Sequence, residues 1–118
     1  MVHVVEDLAK LVVKAAEDKK ADKVVVMDIS KLSVIAEYFI ICNGNNERQV
    51  QAIVTEIRDQ AHKNGYNVKG IEGAEEGRWV LVDLGDVVVH VFHREERDFY
   101  NIERLWSDAN IVTLTEKA

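Results

Sequence analysis

Val4, Val5, Leu8, Leu11, Val12, Ala15 and Ala16 recur at three- and four-residue intervals, with Glu6, Asp7, Lys10, Lys14 and Glu17 between them. That period predicts an amphipathic first helix with an acidic start and with Lys19 and Lys20 at its end. Val24 to Met27 is continuously apolar and stops at Asp28, the pattern of a short strand buried on both faces. Residues 32–37 have no clear period and are read as a loop or one helical turn. Tyr38 to Cys42 predicts a second buried strand, closed by Asn43-Gly44-Asn45-Asn46. Val50, Ile53, Val54, Ile57 and Ala61 then form the stripe of a second helix, with Asn45 or Asn46 as its N-cap and Asn64-Gly65 as its stop. Residues 67–71 read as a short third strand.

Residues 79–92 follow a period of two around Gly85-Asp86. A two-residue hairpin turn there places residue 84 opposite 87, 82 opposite 89 and 80 opposite 91. One face then carries Val80, Val82, Leu84, Val87, Val89 and Val91, and must be core. The other pairs Trp79 with Phe92, Leu81 with His90 and Asp83 with Val88, so the polar groups and large aromatics share it. A last helix is predicted from the stripe Phe99, Ile102, Leu105, Trp106 and Ala109, with Tyr100 and Arg104 beside it. The expected fold is α/β: a small single domain over residues 1–118, with a mixed sheet of about five strands and flanking helices.

Composition narrows the function. The 118 residues are 47% hydrophobic, contain no proline and carry a net charge of −6. Enough apolar surface is available for a core, and a low-complexity linker is not expected. The acidic balance argues against phosphate-backbone binding and favours a basic partner. No stretch has the ~20 apolar residues of a membrane span, and the N-terminus lacks a signal-peptide core, so a cytoplasmic protein is expected. Cys42 is the single cysteine, which leaves no intrachain disulfide and no cysteine metal cage.

Candidate chemistry is sparse. Asp83 and His90 lie diagonally across the predicted hairpin, within hydrogen-bond reach, as a carboxylate-oriented general base would. No Ser, Thr or Cys is placed as their nucleophile. Cys42 reads as a small core residue. His90 and His93 fall on opposite strand faces, so no metal site and no cofactor is expected. The Asn43–Asn46 loop can act as a cap and turn or cradle an anion, but it lacks the lysine and glycine spacing of a phosphate loop. Glu72, Glu75 and Glu76 form a solvated acidic loop or meet a basic partner. Trp79 is either covered by the last helix or serves as an interface anchor, a role tryptophan fills often.

The strings AEYFIICNGNNERQVQAI (36–53), EGAEEGRWVLVDLGDVVVHVF (72–92) and RDFYNIERLWSDA (97–109) closely resemble the ribosomal silencing factor, or iojap, family over nearly the whole chain. The resemblance implies a nucleotidyltransferase-like topology without catalysis. It also implies a translational repressor that binds the large ribosomal subunit at large-subunit protein fourteen. Bound there, such a repressor blocks joining of the small subunit when nutrients are scarce. The family's motif residues fall on Trp79, Asp83, His90, Phe99-Tyr100 and Leu105-Trp106. Glu37 stands where many members carry Asp, and Asn46 where many carry Ser. The expected partner-binding residues are Trp79, Leu81, Asp83, His90, Phe92, Tyr100 and Glu37, with a homodimer left open. The alternative is a nucleotidyltransferase-like or phosphate-ligand-binding enzyme built on Asn43–Asn46, Asp83 and His90.

Overall fold

The computed structural model describes residues 5–32, 34–100 and 110–112, with side chains up to residue 97. Its elements run α1 (Val5–Asp18), β1 (Asp22–Asp28), β2 (Tyr38–Gly44), α2 (Glu47–Lys63), β3 (Gly70–Glu72), β4 (Trp79–Asp83), β5 (Val87–His93), α3 (Arg94–Tyr100) and β6 (Asn110–Val112). Among the described residues these strands form one six-stranded sheet in the order β3-β4-β5-β2-β1-β6. The β2–β5 pair is parallel and the other pairs are antiparallel. The domain is therefore α/β with a mixed sheet. Its sixth strand, β6, was not anticipated. Most of the last helix expected around residues 99–109 lies outside the described residues. The helix that is described, α3, begins earlier, at Arg94.

Local signals explain both long helices. In α1 the buried stripe is Leu8, Ala9, Val12, Val13, Ala15 and Ala16. The helix ends with Lys20 in the left-handed region, φ 65°. Ala21 N–H donates to Ala16 O at 3.0 Å and Lys20 N–H to Glu17 O at 2.9 Å. This is the Schellman arrangement, here with a lysine where glycine is usual. In α2, Asn46 is the N-cap: its side chain accepts from Gln49 N–H at 2.8 Å. Asn64 and Gly65 end it by the same pair of carbonyl bonds, Tyr66 N–H to Ala61 O and Gly65 N–H to His62 O.

Both helices pack on one face of the sheet. There Val50, Ile53, Val54, Ile57 and Ala61 meet Val26, Ile40, Cys42, Val80, Val82, Leu84, Val87, Val89 and Val91. The six aliphatic hairpin residues assigned to the core all lie in this cluster. The hairpin register is the expected one, Trp79 opposite Phe92 through Asp83 opposite Val88. Gly85 takes φ 92° in the turn, a conformation that glycine tolerates best, and Leu84 N–H closes the turn on Val87 O at 2.9 Å. Cys42 is buried in the core, where burial pushes its thiol up to about 12. No helix among the described residues is long and apolar enough to cross a membrane.

Candidate functional site

The opposite face of the sheet holds a second, smaller cluster. Met27, Ile29, Ala36, Phe39, Ile41 and Phe92 are buried in it, with Val25, Trp79 and Val88 packed at its margin. The period of two in β2, β4 and β5 sends these side chains away from α1 and α2. Trp79 stacks on Phe92 with ring centroids 5.1 Å apart at 27°. Its indole Nε1–H donates to His90 Nδ1 at 3.2 Å. Phe39 meets the His90 ring edge to face at 4.8 Å.

This geometry replaces the expected Asp83–His90 pair. Asp83 Oδ1 accepts from Gly85 N–H at 2.9 Å, so the carboxylate stabilises the hairpin turn. His90 is 4% exposed, and its ring is spent on Trp79 and Phe39. Because Nδ1 accepts from the indole, the neutral ring carries its proton on Nε2, which is buried without a hydrogen-bond partner among the described residues. Burial lowers the imidazole from its ordinary 6.5 to about 4. A neutral, enclosed imidazole two residues of strand from an aspartate committed elsewhere does not form an assembled acid–base pair.

The Asn43–Asn46 loop is likewise occupied. Asn46 caps α2, and Asn45 N–H donates to Gln49 Oε1 at 2.7 Å. Asn43 is buried and accepts from Arg97 Nη1 at 3.0 Å, while the same nitrogen donates to Lys23 O at 2.6 Å. Lys23 lies at φ 50° where the β1–β2 register shifts, so Arg97 of α3 anchors that irregularity from the far end of the chain. The loop's cap and turn roles account for its polar groups.

Trp79 is also fixed through the backbone. Arg78 O accepts from His93 N–H at 2.8 Å, and the Arg78 guanidinium reaches Glu96 at 2.9 Å, Glu95 at 3.2 Å and Glu47 at 3.7 Å. One arginine thus links the starts of β4, α2 and α3. Glu95 N–H donates to His93 Nδ1 at 3.2 Å, so a histidine caps the α3 entrance. Gly73 sits at φ 83° beneath Trp79, where an added Cβ would strike the Trp79 carbonyl.

A profile of the family described as "Ribosomal silencing factor during starvation" matches residues 3–118. The chain belongs to the ribosomal silencing factor family. It is 52% identical over 109 residues to the ribosomal silencing factor of Bacillus subtilis, covering 92% of each chain. It is also 34% identical over 101 residues to the chloroplastic protein Iojap of Zea mays, covering 86% of this chain and 44% of that one. A crystal structure from Bacillus halodurans superposes with a TM-score of 0.82 at 48% identity, covering 91% of this chain and 97% of that one. One from Chromobacterium violaceum gives 0.88 at 39% identity, covering 89% and 88%. Membership assigns a ribosome-associated role in silencing translation, a regulatory rather than a metabolic task.

The candidate residues divide by exposure. Trp79, Leu81 and Asp83 are half-buried on this face of β4, and Glu37 is exposed. His90 and Phe92 are buried beneath Trp79 and support it from below. The side chain of Tyr100 lies outside the described residues. One feature was missed in the sequence: the loop between β1 and β2 exposes Leu32, Val34 and Ile35. Its signal was an apolar stretch with neither helical nor strand period, flanked by two clear strands.

Proposed function

We propose that this chain is a non-enzymatic translational repressor that binds the large ribosomal subunit through large-subunit protein fourteen. Bound there, it sterically blocks association with the small subunit and so damps translation under nutrient limitation. Residues 1–118 act as one silencing-factor domain in the cytoplasm, without a cofactor. The observation that carries the proposal is the preorganised tryptophan. Trp79 is half-buried, stacked on Phe92 and hydrogen-bonded to His90. An aromatic anchor already fixed before docking loses little conformational freedom on binding. Leu81, Asp83 and Glu37 complete the contact, and the net charge of −6 suits a basic ribosomal protein.

The test pairs two substitutions. Trp79→Ala should weaken affinity for purified large subunits by at least ~2 kcal/mol, or roughly thirtyfold. Val82→Ala lies in the helix-covered core and should lower the urea midpoint, costing on the order of 2 kcal/mol of stability. Its affinity under folding conditions should match wild type. A folded Trp79→Ala protein that binds as tightly as wild type would remove Trp79 from the docking surface.

A further inference from the structure

The loop between β1 and β2 projects its apolar side chains outward. Val34 is 104% exposed and Leu32 46%, although both could have been polar at no cost to the core. The loop is nonetheless well staked. Ile29 and Ala36 are buried in the second-face cluster, and Ile29 N–H donates to Glu37 O at 2.9 Å, closing its base. Leu32 N–H bonds to Ile29 O at 2.9 Å, and Ser30 N–H and Oγ both bond to Asp28 Oδ1. Glu37 and Tyr38 N–H converge on Asp86 O. Exposed apolar groups on a hydrogen-bonded loop favour a contact that removes them from water.

Charge indicates what covers them. Glu6, Asp28 and Glu37 lie close enough to Tyr38 that, together with burial as the larger cause, they raise its phenol above the ordinary value. Asp86 adjoins through its carbonyl. Asp28 and Glu37 thus flank the loop, against Lys31 within it, in a chain of net charge −6, while Glu6 lies on the helix-covered side where the Tyr38 ring packs. A second copy of this chain would bring the same carboxylates against them, whereas a basic surface would neutralise them. The feet of the loop share a cluster with Phe92 and Trp79. Tyr38 pairs with Val87 and Trp79 with Phe92, so the loop base and the indole are five β5 residues apart, roughly 17 Å at strand rise. One interface of ordinary size, about 800 Å² per partner, spans both.

We infer that Leu32 and Val34 form a second apolar anchor, set in an acidic frame, that docks into an apolar recess on the same basic ribosomal protein that Trp79 engages. This rests on the docking function proposed above. Two anchors on one face fix orientation as well as affinity, which a steric blocker requires.

The experiment titrates isolated large-subunit protein fourteen into wild type, Leu32→Ser/Val34→Ser and Val34→Ser by calorimetry, with thermal melts and sedimentation of each chain alone. The melts should coincide because these side chains are exposed, and Val34→Ser serves should the double variant not fold. The double variant should bind on the order of tenfold or more weakly, and Val34→Ser severalfold, as expected for apolar groups no longer buried. Variant affinities within twofold of a measurable wild-type affinity would overturn the second anchor and leave the docking function standing. Loss of self-association with unchanged affinity for the ribosomal protein would overturn the occupant, making the loop a contact between copies. Absence of wild-type binding would overturn the partner itself, and the loop assignment with it.

Discussion

Replacing His90 with phenylalanine should remove a defined part of the protein's acid sensitivity. In the folded chain the imidazole is enclosed by Phe39, Phe92 and Trp79, and burial holds it at about 4 against an ordinary 6.5. The depressed group favours the folded state fully above 6.5, where both states are neutral. That contribution is lost as pH falls toward 4, because the unfolded chain takes up the proton first. The gap of about 2.5 pH units corresponds to about 3 kcal/mol at full protonation, and to about 2 kcal/mol between pH 7.5 and pH 5. At 4% exposure, solvent screening removes little of it. His90→Phe keeps an aromatic ring against Phe39 but gives up the acceptor for Trp79 Nε1–H, about 1 kcal/mol at neutral pH. Urea unfolding of both proteins at the two pH values, fitted with a common m-value, isolates the effect. Carboxylates titrate in both, so their contribution cancels in the difference. Wild type should lose about 2 kcal/mol more than the variant on acidification. Parallel losses would mean that the imidazole is solvated in the folded chain, and the account of the second face would fail.

Gly73→Ala should be destabilising by roughly 2 kcal/mol or more, since a side chain at φ 83° is strained and its Cβ meets the Trp79 carbonyl. Its affinity for large subunits should fall too, because the indole is displaced with its backbone; an unchanged thermal midpoint would contradict the packing described. Association with large subunits should be faster in dilute than in physiological salt, since screening acts over ~8–10 Å, while dissociation changes less. Stopped-flow rates independent of ionic strength would remove charge steering.

The hairpin was legible because two independent signals agreed: the Gly85-Asp86 turn fixed the register, and the period of two sorted the faces. The α2 stripe was legible for the same reason, with Asn46 and Gly65 marking its ends. Where a common residue did an uncommon job, the sequence carried no marker. Lys20 closes α1 in the left-handed region, at the end already read at Lys19 and Lys20, whereas His93 caps α3, whose start at Arg94 was missed. Asp83 and His90 were expected to pair because they lie near each other across the hairpin. Nearer partners won: the Gly85 N–H in the turn and the Trp79 indole across the strand. The depth of Phe92 and His90 was not visible either. Burial of that face depends on Met27, Ile29 and Phe39 from strands distant in sequence. Three-residue β6 is too short to show a period at all.

A steric block of subunit joining can be read by order of addition. Purified large subunits would be incubated with saturating chain, small subunits added, and the fraction of joined ribosomes read by light scattering or gradient sedimentation. Joining should fall in proportion to occupancy of the large subunit, and Trp79→Ala should restore it at equal concentration. Undiminished joining with the chain demonstrably bound to the large subunit would rule out a steric block.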